Sequence, residues 1–99
     1  MKVHTKAVQF KADQKLIDFI DQKLGKLERF YDRIIQANVT LKLENSGQVR
    51  DKIAEVIVML PGETLVAKDS KKTFEASVEG VVRNLKRQLK RYKEKRRGV

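Results

Sequence analysis

The side chains of this chain that could do chemistry are nearly all cations. Residues 70–99 hold eleven Lys and Arg against three Asp and Glu, an excess of eight, whereas residues 1–69 hold twelve against ten, an excess of two. Like charges gathered on one segment repel one another and add nothing to folding, so the imbalance calls for a polyanionic partner, and RNA is the expected one. Acid–base chemistry has far less to work with. Asp18 with Asp21, and Asp51 with Glu55, are carboxylate pairs, but each falls on an exposed register without an accompanying His, nucleophile or Gly-rich phosphate loop. A solvated surface explains them better. The single His, His4, has no orienting acid near it in sequence, and the lack of Cys removes thiol catalysis, zinc-finger ligation and disulfide frameworks together. These residues predict a binding protein rather than an enzyme, with no cofactor, no metal site and no small-molecule substrate.

The elements that must hold those cations make a small fold. The 99 residues suit one domain spanning 1–99, which at this size buries roughly 65% of the unfolded surface, enough for a core without staples. The longest apolar run, Val56 to Leu60, is far short of the roughly 20 residues a membrane span needs, and Met1-Lys2-Val3-His4 opens no signal-peptide pattern. No membrane partner is expected, and the lack of Cys fits a reducing, cytoplasmic location.

Residues 2–10 alternate as a strand, with Val8 and Phe10 on one face and Val3, Thr5 and Ala7 on the other. From Asp13, a suitable N-cap, the period turns helical, with Leu16, Ile17, Ile20, Leu24 and Leu27 on one stripe up to about Phe30. Gly25 interrupts that helix at a cost of about 1 kcal/mol relative to Ala, which marks either a close approach of backbone or ligand or simple drift. Ala37, Val39, Leu41 and Leu43 alternate with Asn38, Thr40, Lys42 and Glu44 as a half-buried strand. Residues 44–48 read as a turn, 52–60 as the next strand, Pro61-Gly62 as a tight turn and 63–69 as the returning hairpin partner. Ile57 and Met59 face outward on the third strand, either as a partner contact or as a semi-buried central position. Phe74, Val78, Val81, Val82, Leu85, Leu89 and Tyr92 then form one stripe of a long helix capped by Thr73. The order β-α-β-β-β-α predicts an α+β fold: a parallel first strand pair made by a right-handed crossover, an antiparallel meander, and both helices on one face of a four-stranded sheet.

At 100° per residue, with Leu85 at the middle of the buried stripe, Arg83, Lys86, Arg87, Lys90 and Arg97 fall between about 100° and 200°, flanked by Lys93 and Arg91. From Arg83 to Arg97 this ladder is about 21 Å long, comparable to several phosphate spacings along a nucleic-acid strand. A plain solubilising face would mix its charges, yet Glu94 is the lone acid among the final fifteen residues. Lys95, Arg96 and Arg97, at the end of a basic segment of about 93–99, either extend the helix or trail as an arm. On the first helix Lys15, Lys26, Arg29 and Arg33 share one flank and Asp18, Asp21 and Glu28 the other, while Lys23 lies at the apolar edge and can snorkel either way. Two helices side by side with their basic flanks on a shared groove is the expected arrangement. Among the aromatics, Phe74 and Tyr92 belong to the core stripe and Tyr31 is the stacking candidate. The strands have no aromatic pattern of the kind that RNA-recognition-motif domains use, so recognition should rest on backbone and shape.

Gly25-Lys26-Leu27-Glu28-Arg29-Phe30-Tyr31-Asp32-Arg33-Ile34, the Pro61-Gly62 hairpin with Leu65-Val66-Ala67, and Asn84-Leu85-Lys86-Arg87-Gln88-Leu89-Lys90-Arg91-Tyr92-Lys93 strongly resemble one family. It is that of the bacterial ribosome hibernation-promoting factors, also called ribosome-associated inhibitors or sigma-factor modulation proteins. The likeness covers nearly the whole chain. It implies a β-α-β-β-β-α fold similar to double-stranded RNA-binding domains. It also implies binding to the small ribosomal subunit and its rRNA in the channel for transfer and messenger RNA. Translation would thereby be blocked in stationary phase or stress, with promotion of ribosome dimerisation and a dimerising partner factor as further expectations. The RNA contacts the resemblance implies are Lys23, Lys26 and Arg29 on the first helix and Arg83, Lys86, Arg87, Lys90, Arg91 and Lys93 on the last. Two departures stand out. Lys71-Lys72-Thr73-Phe74 places cations where the family usually has an acid before the aromatic, at a cost of a few tenths of a kcal/mol against the helix dipole, offset by Glu75 and a nearby phosphate. The chain also reaches only Val99, without the second domain of long members or the acidic tail of the inhibitor branch, and so looks like the short form. The alternative from another class is an RNA-binding or ribosomal-protein-like module with no inhibitory role. Adsorption to anionic membrane would need the apolar stripe that the core uses.

Overall fold

The computed structural model describes residues 1–46 and 49–97. The elements are β1 (Lys2–Ala7), α1 (Gln14–Phe30), β2 (Gln36–Ser46), β3 (Val49–Leu60), β4 (Glu63–Lys71) and α2 (Phe74–Arg97), in the expected β-α-β-β-β-α order. The strands lie β1-β2-β3-β4 in one sheet, β1 parallel to β2 and the other pairs antiparallel. Ala37, Val39 and Leu41 of β2, Val56, Val58 and Leu60 of β3, and Leu65 and Ala67 of β4 are buried together with Leu16, Ile20, Leu24 and Leu27 of α1 and Phe74, Val78, Val81, Leu85, Leu89 and Tyr92 of α2. A period of two on the sheet meets a period of 3.6 on both helices, and the two apolar sets close on one core.

Both helix starts are capped as their sequences demand. Asp13 accepts the Leu16 N–H at 2.8 Å, and Thr73 accepts the Ala76 N–H at 3.1 Å. Gly62 takes φ +80° in the hairpin that pairs Leu60 with Glu63, a conformation that a side chain would strain. Around Gly25 no atom beyond its neighbours and the local helix backbone lies within 4 Å of where a Cβ would stand, so within the chain no packing contact requires glycine there.

The structure moves several boundaries. β1 stops at Ala7 rather than residue 10: Gln9 adopts φ +63°, and Phe10 leaves the strand alternation to stack on Phe74 at 5.1 Å and 11°. Aromatic burial outweighs continued pairing there. Glu44, Asn45 and Ser46 are ladder residues opposite Asp51, Arg50 and Val49, so β2 and β3 run further than the polar composition suggests; Gly47 and Gln48, in the expected turn, lie outside the described residues. β4 continues to Lys71, and α2 is helical to Arg97, which settles the two alternatives for the basic segment as far as that residue. On the sheet face away from the helices Met59 is exposed and its strand neighbour Ile57 half-buried.

Ser77 is the one buried polar residue among the described side chains. Its hydroxyl donates to the Lys52 carbonyl, lies 3.2 Å from the Thr73 carbonyl, and accepts the Lys71 N–H at 2.9 Å, so one side chain ties β3, β4 and the first turn of α2 together. Ser77→Ala strands the Lys71 N–H and should cost about 1–3 kcal/mol, read as a thermal midpoint lower by several degrees. An unchanged midpoint would show that water replaces the hydroxyl.

Candidate nucleic-acid interface

The stripe that α2 buries dictates which of its residues face solvent. Phe74, Val78, Val81, Leu85, Leu89 and Tyr92 lie against the sheet, so Arg83, Lys86, Arg87 and Lys90 emerge on the opposite side, and all four are exposed. Among the described residues none of the four has an acidic partner within ion-pair distance. α1 packs beside α2, and the groove between them, about 280 Å³, is lined by Lys23, Lys26, Leu27, Glu79, Val82, Arg83 and Lys86. A broader open trough of about 920 Å³ runs over the outer side of α2 and includes Arg83, Lys86, Arg87, Lys90 and Lys93, with Phe30 of α1 and Lys68 of β4 at its margins. The two depressions share Arg83 and Lys86.

The nine residues expected to contact RNA therefore separate into three groups. Lys26, Arg83, Lys86, Arg87 and Lys90 form a continuous basic surface across both helices. Lys23 and Lys93 also make contacts inside the fold. Lys23 pairs with Glu79 at 3.6 Å and stands 5.3 Å from the Phe19 ring centre, linking α1 to α2. Lys93 is half-buried and donates to the Phe30 carbonyl at 3.3 Å, satisfying one of the carbonyls left open at the end of α1. Arg29 and Arg91 stand apart. Arg29 is exposed one turn beyond Lys26 and about 60° further round the helix, and Arg91 lies on the flank of α2 towards β4; neither lines the groove or the trough. Arg33 falls past the end of α1, where Tyr31 is already extended at φ −147°, so its expected place on the helical flank does not hold. Tyr31 itself is half-buried, edge-on to the Tyr92 ring at 5.6 Å and 83°.

Two members of the surface escape a sequence reading. Phe30 has the Lys93 ammonium 4.6 Å and the Lys86 ammonium 5.5 Å from its ring centre, a contact made across helices. Lys68 joins the trough from the edge strand, where its alternation with Leu65 and Ala67 assigns it to the outer face. Acids also line the surface: Glu79 in the groove, held by Lys23, and Asp69 and Glu94 in the trough, Asp69 fitting against α2 where Gly80 has no side chain to displace it. No group of three or more His, Cys, Asp or Glu converges among the described residues. Chemically, the arrangement is suited to holding phosphates: several exposed cations on fixed backbones, spaced about one helical turn apart along α2.

The Sigma 54 modulation protein / S30EA ribosomal protein family matches residues 3–97 of the chain. The chain is 35% identical over 78 residues to the ribosome hibernation promoting factor of Klebsiella oxytoca, spanning 79% of this chain and 78% of that one. It is 28% identical over 99 residues to the protein of the same name from Pseudomonas putida, spanning 100% and 93%. Among solved structures, the fold matches a ribosomal subunit interface protein from Coxiella burnetii with a TM-score of 0.83 at 21% identity, over 95% of this chain and 99% of that one. It matches the N-terminal domain of Thermus thermophilus Protein Y with a TM-score of 0.81 at 25% identity, over 93% and 99%.

If the five cations of the continuous surface each neutralise one phosphate, the logarithm of the RNA-binding constant should fall against the logarithm of salt concentration with a slope near −4. A titration at several salt concentrations measures this. A slope near zero would rule out phosphate binding as the source of affinity.

Proposed function

The chain belongs to the Sigma 54 modulation protein / S30EA ribosomal protein family, and from that membership we propose that it is a ribosome hibernation factor. On this proposal it acts in the cytoplasm and binds the small ribosomal subunit in the channel for transfer and messenger RNA. Residues 1–99 work as one ribosome-binding domain. Translation stops by occupancy: two basic helix flanks engage rRNA phosphates while the body of the fold fills space that substrates of the ribosome need. A dimerising partner factor belongs to the same proposal, because the bound body changes what the subunit surface offers to a second ribosome.

The observation that carries this proposal is the row of Arg83, Lys86, Arg87 and Lys90. Four exposed cations without acidic partners on a rigid helix, joined across the groove by Lys26, form a surface that gains energy when it meets a polyanion of defined shape. Lys23 and Lys93 support it by fixing the two helices to each other, and Arg29 and Arg91 add attraction from the flanks. The relatives' names, which refer to the ribosome, support reading the polyanion as rRNA; the small subunit and its channel are the finer part of the proposal.

Changing Arg87→Glu together with Lys90→Glu should abolish co-sedimentation with purified small subunits while leaving the thermal midpoint within a few degrees of the parent, since neither side chain touches the core. Retained co-sedimentation would contradict the proposed surface. In a cell-free translation reaction the parent protein should inhibit at stoichiometric ratios to ribosomes. Binding without inhibition would favour a passive RNA-binding module instead.

A further inference from the structure

Phe30 sits at the last turn of α1, half-buried, with its ring towards α2. Two ammonium groups seven residues apart on α2 gather on it, Lys93 at 4.6 Å and Lys86 at 5.5 Å from the ring centre, and Lys93 also donates to the Phe30 carbonyl at 3.3 Å. With one ring as their common neighbour, the two ammonium groups stand no more than about 10 Å apart. Two like charges at the end of flexible four-carbon stems would otherwise separate and lose a good deal of rotamer freedom on being brought together by a ligand. The negative face of the ring removes part of that repulsion and holds both stems.

Resting on the proposed function above, we propose that Phe30 is a positioning residue. It acts as an aromatic clamp that presents Lys86 and Lys93 as one preformed pair to a single stretch of rRNA phosphate backbone. Lys86 reaches out of the trough as an exposed side chain, and Lys93 supports it from the half-buried side; both line the trough together with Phe30. A ring occupied by ammonium groups is not available for stacking on a base, so Phe30 contributes through the lysines and not through contact with a nucleobase. The same arrangement links the end of α1 to the binding face of α2, so that the relative placement of the two basic flanks is set before RNA arrives.

Phe30→Leu keeps an apolar side chain at the position and removes the ring; Phe30→Tyr keeps the ring. The clamp predicts that Phe30→Leu binds purified small subunits about fivefold to tenfold more weakly, with a shallower salt dependence, and that Phe30→Tyr restores most of the loss. In the free protein, the side-chain methylene protons of Lys86 and Lys93 should show upfield ring-current shifts that vanish in Phe30→Leu and persist in Phe30→Tyr. Equal weakening by Leu and Tyr would reduce Phe30 to a packing residue, and Phe30→Leu with parent affinity, or lysine shifts indifferent to the ring, would overturn the clamp. Failure of the parent protein to bind small subunits at all would overturn the proposed function together with the clamp. Parent binding with an indifferent Phe30→Leu overturns the clamp alone.

Discussion

The burial of one stripe of α2 is the constraint from which the rest of the structure follows. Val78, Val81, Leu85 and Leu89 are fully buried against the sheet, each worth about 1.5–3 kcal/mol relative to exposure. Repulsion between exposed cations on the other side is screened within roughly 8–10 Å at physiological salt and amounts to far less per pair. Burial therefore decides how the helix is oriented, and the cations accept the side that is left. With 100° between successive residues, that side receives Arg83, Lys86, Arg87 and Lys90, so hydrophobic burial on one face sets an electrostatic surface on the other.

Within the same surface two cations also make contacts that hold the fold. Lys23 and Lys93 each have a contact within the molecule, the first with Glu79 across the helix pair and the second with the end of α1. These contacts are partly shielded and fix the spacing of α1 and α2. Lys26, Arg83, Lys86, Arg87 and Lys90 sit on the scaffold so made. A polyanion approaching it meets backbones that are already placed, and the loss of freedom on binding falls mainly on side-chain ends.

Much of this was legible in the sequence because it depends on periodicity. The two caps at Asp13 and Thr73, the order of elements, the sheet pairing and the outward placement of Arg83, Lys86, Arg87 and Lys90 all follow from residue types at regular spacing, and each lies where the pattern places it; the side chain of Arg97, the expected end of the ladder, lies outside the described ones. What was not legible depends on contacts between distant segments. Phe10 breaks the β1 alternation because Phe74 lies beside it; the Lys86, Lys93 and Phe30 cluster needs the end of α1 to meet the second half of α2; Ser77 binds backbone groups of Lys52 and Lys71 that no local spacing connects to it. Arg29 and Arg91 resemble their neighbours in sequence, yet neither lines the groove or the trough. A wheel describes one helix, and the site is made by two helices and a strand edge.

On the proposed function, the outward face of α2, extended by Lys26 of α1, is the face that meets rRNA. A density map of the protein bound to the small ribosomal subunit measures this directly. Arg83, Lys86, Arg87 and Lys90 should lie within contact distance of rRNA phosphates in the channel for transfer and messenger RNA, with the outer sheet face around Ile57 and Met59 turned away from them. A map in which the sheet face lies on the RNA while α2 points into solvent would contradict it.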